Sequence, residues 1–129
     1  MPVDALVPAE PVLPLARPVF PPAARGKTAL PMMVGVRLTV GTDGRVADVV
    51  PSFVAVSTPG PFAAEFRAAV EAAVAEWRFL PAEIRHLVPG RTPQGKDYWN
   101  VARTDKTEDA IDVVFTFSPS GEVGTALPK

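Results

Sequence analysis

His86 is the only histidine of the chain and cysteine is absent, which narrows the available chemistry at once. A histidine-based triad needs a nucleophile and an orienting carboxylate brought to the ring by the fold, and no residue pattern nominates either. Glu83 lies three residues before His86 and meets it only if the segment makes a helical turn, where the contact reads as a local salt bridge. His86, between Arg85 and Leu87, is therefore read as an ordinary loop residue. Without cysteine there is no thiolate zinc site, no disulfide and no thiol catalysis, and the redox compartment cannot be read. One imidazole and scattered carboxylates make no recognisable metal-ligand spacing. The run Thr104-Asp105-Lys106-Thr107-Glu108-Asp109 lacks the central glycine and alternating oxygens of a calcium loop and reads as a solvated loop. Gly41 and Gly44 belong to a turn, and no glycine-rich loop joins a strand to a helix to cradle phosphate. No carboxylate pair stands out for glycoside hydrolysis. The residues thus predict a protein that is not an enzyme and carries neither metal nor cofactor. Tyr98 and Trp99 differ from the rest: aromatics inside a polar segment either anchor an interface or cover one end of a sheet.

The bulk composition agrees with a binding role. The 129 residues fit one domain, and 47% of them are apolar, enough for a modest core. Thirteen basic and fourteen acidic residues leave a formal charge of -1, against the clustered Lys and Arg of a nucleic-acid surface. No apolar run approaches the ~20 residues that span a bilayer, and the N-terminus lacks the pattern of a secretory signal. Either the chain stays in the cytosol or an N-terminal anchor has been removed from it. Sixteen prolines are the unusual count, and seven fall within the first 22 residues. Proline has a fixed φ and no backbone donor, so residues 1–17 are read as an extended Pro-rich arm or linker, barred from helix interiors and central strands.

The positioning elements follow from periodicity. In residues 33–40, Val34, Val36, Leu38 and Val40 share one face and Gly35, Arg37 and Thr39 the other, which predicts a half-buried strand. Gly41-Thr42-Asp43-Gly44 is a tight-turn signal, leading into a second strand over residues 45–50 that residues 53–56 extend. Pro51 predicts a bulge or an edge position there. Gly60 as N-cap and Pro61 at the first position open a helix over residues 61–77, with Phe62, Phe66, Val70, Val74 and Trp77 as one apolar stripe. Residues 82–110 form a long polar segment with turn signals at Pro89-Gly90, Thr92-Pro93 and Gln94-Gly95, and a short strand at residues 98–101. A last strand runs over residues 111–118, with Ile111, Val113, Phe115 and Phe117 on one side. The expected fold is α+β: a small antiparallel three-stranded sheet with one helix packed on a face, in the order β-β-α-β.

Several local motifs, in order, resemble the TonB C-terminal domain family, the periplasmic end of an envelope energy transducer. The match runs through Phe20-Pro21-Pro22-Ala23-Ala24-Arg25, the hairpin around Asp43-Gly44, and above all Ala72-Ala73-Val74-Ala75-Glu76-Trp77-Arg78-Phe79-Leu80-Pro81-Ala82; Val113-Val114-Phe115-Thr116-Phe117 has the alternating form of the family's last strand. It covers residues 18–82 and 111–118 and places a TonB-like domain over residues 18–129. The resemblance implies a periplasmic protein-binding module that takes an extended segment of an outer-membrane transporter as an added strand. It implies Phe20 and Pro21 beside that segment, and Ile111, Val113, Val114, Phe115, Thr116 and Phe117 as the receiving edge. The alternative is a stand-alone adaptor that reuses the fold without transduction, as a homodimer through the same edge and cytoplasmic if the resemblance fails. Ser57-Thr58-Pro59-Gly60 matches the family's small-residue stretch only in part, and the 82–110 segment is longer than expected.

Overall fold

The computed structural model describes residues 2–54 and 57–127; Ala55 and Val56, the end of the expected 53–56 extension, lie outside the described residues. In chain order the elements are β1 (Val3–Val7), β2 (Glu10–Pro11), a short 3-10 turn (Pro22–Ala24), β3 (Met32–Val40), β4 (Val46–Pro51), α1 (Ala63–Val74), β5 (Phe79–Leu80), β6 (Ala82–Arg91), β7 (Asp97–Thr107), β8 (Asp109–Phe117) and β9 (Val123–Ala126). All pairings are antiparallel. They build a four-stranded sheet β4-β3-β8-β9, a three-stranded sheet β1-β6-β7 and a two-stranded ribbon β2-β5.

The expected α+β fold with a single three-stranded sheet is therefore corrected. Among the described residues the chain is mostly sheet, 48% strand against 12% helical, with one helix and three sheets of 3, 2 and 4 strands. The additional strands come from segments that carry no clean apolar alternation. β1 and β2 sit between prolines, β6 and β7 carry charges along their length, and β9 has four residues. Each is strand because a neighbour pairs with it, a cause that local sequence does not display.

The strands expected from alternation behave as such. Val34, Val36, Leu38 and Val40 of β3 and Val113, Phe115 and Phe117 of β8 are buried on one face of the four-stranded sheet. α1 lies across that face, starting two residues later and stopping three earlier than periodicity predicts. Its N-cap position falls on Phe62 rather than Gly60, and no side chain caps it. The stripe holds: Phe66, Val70, Val74 and, just past the helix, Trp77 are buried, while Glu65, Arg67, Glu71 and Glu76 face solvent. Burying each of these large side chains contributes about 1.5–3 kcal/mol, so this face is where the stability lies. The opposite face is polar, with Arg37 and Asp112 opposed across β3 and β8 and paired at 3.3 Å.

Tight-turn chemistry also holds. Gly44 has φ +81°, and its carbonyl accepts from the Phe79 amide at 2.8 Å. A Cβ at Gly44 would run into the Phe79 carbonyl oxygen, so the position requires glycine twice over. Pro51 closes the edge strand β4, where its missing donor costs nothing.

Residues 2–17 are no free arm. Val12 N donates to Arg78 O at 2.8 Å, Trp77 Nε1 to Ala16 O at 2.8 Å and Ala9 N to Asp109 Oδ2 at 3.0 Å. Proline lacks a donor but keeps its carbonyl, and the residues between the prolines supply the remaining bonds. As their composition requires, β1 takes an edge place beside β6.

Candidate protein-binding edges

The edge that the TonB-like resemblance points to is built from core residues. Phe20 is 4% exposed, its ring 5.4 Å from Phe66 and 6.1 Å from Phe117 in edge-on contacts, and Pro21 is buried beside it. Val113, Phe115 and Phe117 are fully buried under α1, while Ile111, Val114 and Thr116 are half-buried. β8 is an inner strand. β3 pairs with it along its whole length, and β9 covers its other side at residues 114–117, with Val114 opposite Ala126 and Phe117 opposite Val123. The placement of the receiving edge at Val114, Phe115, Thr116 and Phe117 is thus corrected: the chain's own C-terminal strand fills that place. Over residues 109–113, which include Ile111 and Val113, only β3 pairs with β8. No residue pattern announces β9; Ser118–Gly121 closes on itself through Gly121 N to Ser118 O at 2.9 Å, with Gly121 at φ +98°, and folds the tail back.

The outer border of β3 is closed in a different way. Ser57 Oγ accepts from Gly35 N at 3.0 Å and Thr58 Oγ1 from Met33 N at 3.1 Å, and Thr58 N donates to Met33 O at 2.8 Å. The small-residue stretch at residues 57–58 therefore caps β3 where β4 has ended. Beneath it, a concavity of about 370 Å³ opens between β3 and the start of α1. Of the described residues that line it only Arg67 is charged, which leaves no set of groups for acid–base work.

The 82–110 segment, expected as a long loop, is a long hairpin. β6 and β7 pair from Ala82 opposite Thr107 to Arg91 opposite Asp97, with one irregularity after His86. Thr92-Pro93 and Gln94-Gly95 form the turn, with Gly95 at φ +83° and Thr92 N donating to Lys96 O at 2.8 Å. Pro89-Gly90, expected as a turn, instead lies within β6. Tyr98 stands across Gly90, where any side chain would collide with the ring. Periodicity missed this hairpin because neither face of its sheet is buried enough to demand alternation.

β7 is the longest strand, with 11 residues, and it borders its sheet with β6 on one side alone. Tyr98, Trp99 and Val101 are 47%, 53% and 50% exposed, although the Tyr98 ring lies against Gly90. Register puts Trp99 opposite Pro89, Val101 opposite Leu87, and Leu87 opposite Val3. These five apolar side chains share one face of the sheet.

His86 occupies the other face. In place of a loop it sits in the middle strand of the three, directly opposite Asp4 of β1 and Arg103 of β7. Its Nδ1 lies 2.7 Å from Asp4 Oδ1 and its Nε2 2.8 Å from Asp105 Oδ2. Asp105 Oδ2 also accepts from Arg103 Nε at 3.1 Å. The hydrogen bond to Asp105 first, and that to Asp4 next, hold the His86 pKa above its ordinary value; the bond from His86 holds Asp105 below its own. Glu83 makes no contact with the ring. Strand geometry turns it to the opposite face, where it pairs with Arg85 at 3.4 Å. Among the described residues no group of His, Asp or Glu side chains is arranged to hold a metal ion, and no helix is long and apolar enough to cross a membrane. Comparisons with family models, with curated proteins and with solved structures find no match to this chain.

Proposed function

We propose that the chain is a protein-binding module that takes an extended peptide segment as an added strand on the outer edge of β7. One observation carries this reading: an 11-residue strand, exposed along nearly all its length, borders its sheet beside half-exposed Tyr98, Trp99 and Val101. Unpaired backbone donors and acceptors on such an edge template another strand, and the apolar neighbours select alternate side chains of the incoming peptide. The charges Arg103, Asp105 and Lys106 on the same strand discourage indiscriminate pairing, as natural edges do. The TonB-like motifs around Trp77 support the partner class, a segment of an outer-membrane transporter or another envelope protein, and with it a periplasmic location. Because β9 covers residues 114–117 of β8, the added strand belongs on β7 rather than on the last long strand. The proposed role is binding, and the single imidazole is engaged by two carboxylates.

The reading is tested by capture of envelope proteins on the full chain and on two variants, Trp99→Ala and Val101→Lys. Both are expected to fold and to lose most of the captured partner, because one removes an apolar anchor and the other places a charge on the edge. Undiminished capture by both variants removes β7 as the docking edge.

A further inference from the structure

The His86 cluster ties together three strands that are far apart in sequence. Asp4 stands on β1, His86 on β6, and Arg103 and Asp105 on β7. The β6 neighbours on the same face, Ile84 and Val88, are apolar. The nearest other charges, Glu83 and Arg85 on β6 and Lys106 on β7, fall on the opposite face by register. Tyr98 of β7 is the remaining titratable side chain on this face by register, and its ring lies against Gly90.

Hydrogen-bond polarity decides the protonation state this geometry wants. Ionised carboxylates only accept, so both ring nitrogens must donate, and only the imidazolium carries two N–H groups. With the ring protonated, the four side chains sum to zero, two carboxylates against one guanidinium and one imidazolium; without that proton they sum to -1. The two sides of the ring are not equivalent after deprotonation. Arg103 Nη2 lies 3.3 Å from Nε2 and can donate to its lone pair, and Arg103 Nε keeps Asp105 Oδ2 at 3.1 Å. β7 thus has a substitute donor. The Asp4 carboxylate has no other hydrogen-bond partner among the described residues than the ring, and is left at best with a donor that no longer carries a positive charge.

We propose that His86 is a proton-operated fastener of the N-terminal strand: as an imidazolium it bridges Asp4 to Asp105, and loss of the ring proton loosens β1 and bares the outer edge of β6. The inference stands apart from docking at β7, since it concerns the opposite border of the same sheet. β1 suits such release. Val3 and Leu6 are largely exposed, and it contributes no side chain to the buried core. The sign follows from the direction of each shift. A raised His86 pKa means that its contribution is complete below the ordinary value near 6.5 and is lost as pH climbs through the higher folded value. The lowered Asp105 value means that its contribution is complete above the ordinary 3.8 and is lost as pH falls through the lower folded value. The fastener is closed between these limits.

Amide hydrogen exchange at Val3–Val7, corrected for the intrinsic pH dependence and followed from about pH 5 to about pH 9 beside the ¹⁵N shifts of the ring, tests this. Amides of β3 serve as the internal control. Protection of β1 is expected to fall by about two- to fivefold as the ring deprotonates, with the same midpoint, since what is lost is the ring's charge opposite a solvent-exposed carboxylate. His86→Gln and Asp4→Asn are each expected to give lower protection that no longer varies over this range, with β3 unchanged. Wild-type protection that is flat across the ring's titration overturns the proposal, and so does a His86→Gln profile that follows the wild type. A ring that titrates below its ordinary value overturns it too.

Discussion

The two larger sheets have the same antiparallel ladders and opposite means of support. The β4-β3-β8-β9 sheet buries one face under α1, and every large apolar side chain that is fully enclosed belongs to that face, to the helix or to Trp77 just past it. The β1-β6-β7 sheet has no helix on either side. Ala82, at the root of the hairpin where it meets the core, is its only buried residue. The first is held by the removal of apolar surface from water, the second by backbone bonds, short cross-strand contacts and a charged cluster. A sheet of the second kind is exposed to solvent, and the proposed docking edge and the proposed fastener both belong to it.

Substitutions sharpen the contrast. The largest effect is expected at Trp77, which is 1% exposed, donates Nε1 to Ala16 O at 2.8 Å and packs 5.6 Å from the Phe115 ring. Trp77→Ala should cost about 3–5 kcal/mol in denaturant unfolding, through the cavity and the orphaned Ala16 carbonyl. Gly44→Ala comes next. It forces a left-handed φ on alanine and drives a methyl group at the Phe79 carbonyl, for a loss of about 1–3 kcal/mol on the same measurement. Trp99→Ala, on the uncovered sheet, should change unfolding by no more than about 0.5 kcal/mol despite the size of the side chain deleted. A Trp99 variant as destabilising as the Trp77 variant would break the comparison, and would mean that the hairpin is supported by burial after all.

Legibility in the sequence divides along the same line. The period-two faces of β3 and β8 and the four-four-four-three stripe from Phe62 to Trp77 are readable because a buried face imposes its period on composition. The Gly44 and Gly95 turns are readable from their residue types. The hairpin of residues 82–107 shows in the sequence only as turn signals and a short strand at residues 98–101, since a sheet exposed on both faces imposes no alternation. The docking of residues 2–17 was hidden by their prolines, which describe a chain that cannot form a ladder alone but accepts bonds from one already present. Phe20, expected beside a docked segment, lies instead inside, in the aromatic cluster with Phe66 and Phe117. His86 showed only that it was alone; that its two nitrogens meet Asp4 and Asp105, 82 and 19 residues distant, could not be read from spacing.

By itself, the sequence determined which faces are apolar, where the chain turns, and that thiol chemistry is out of reach, because these depend on residue type and near-neighbour spacing. Only the tertiary structure decided strand order: that β9 lies beside β8, that β1 lies beside β6, and that β7 is left as a border. The physical reason is that backbone donors and acceptors are the same at every residue. Which segments pair is settled by what the packed core leaves within reach.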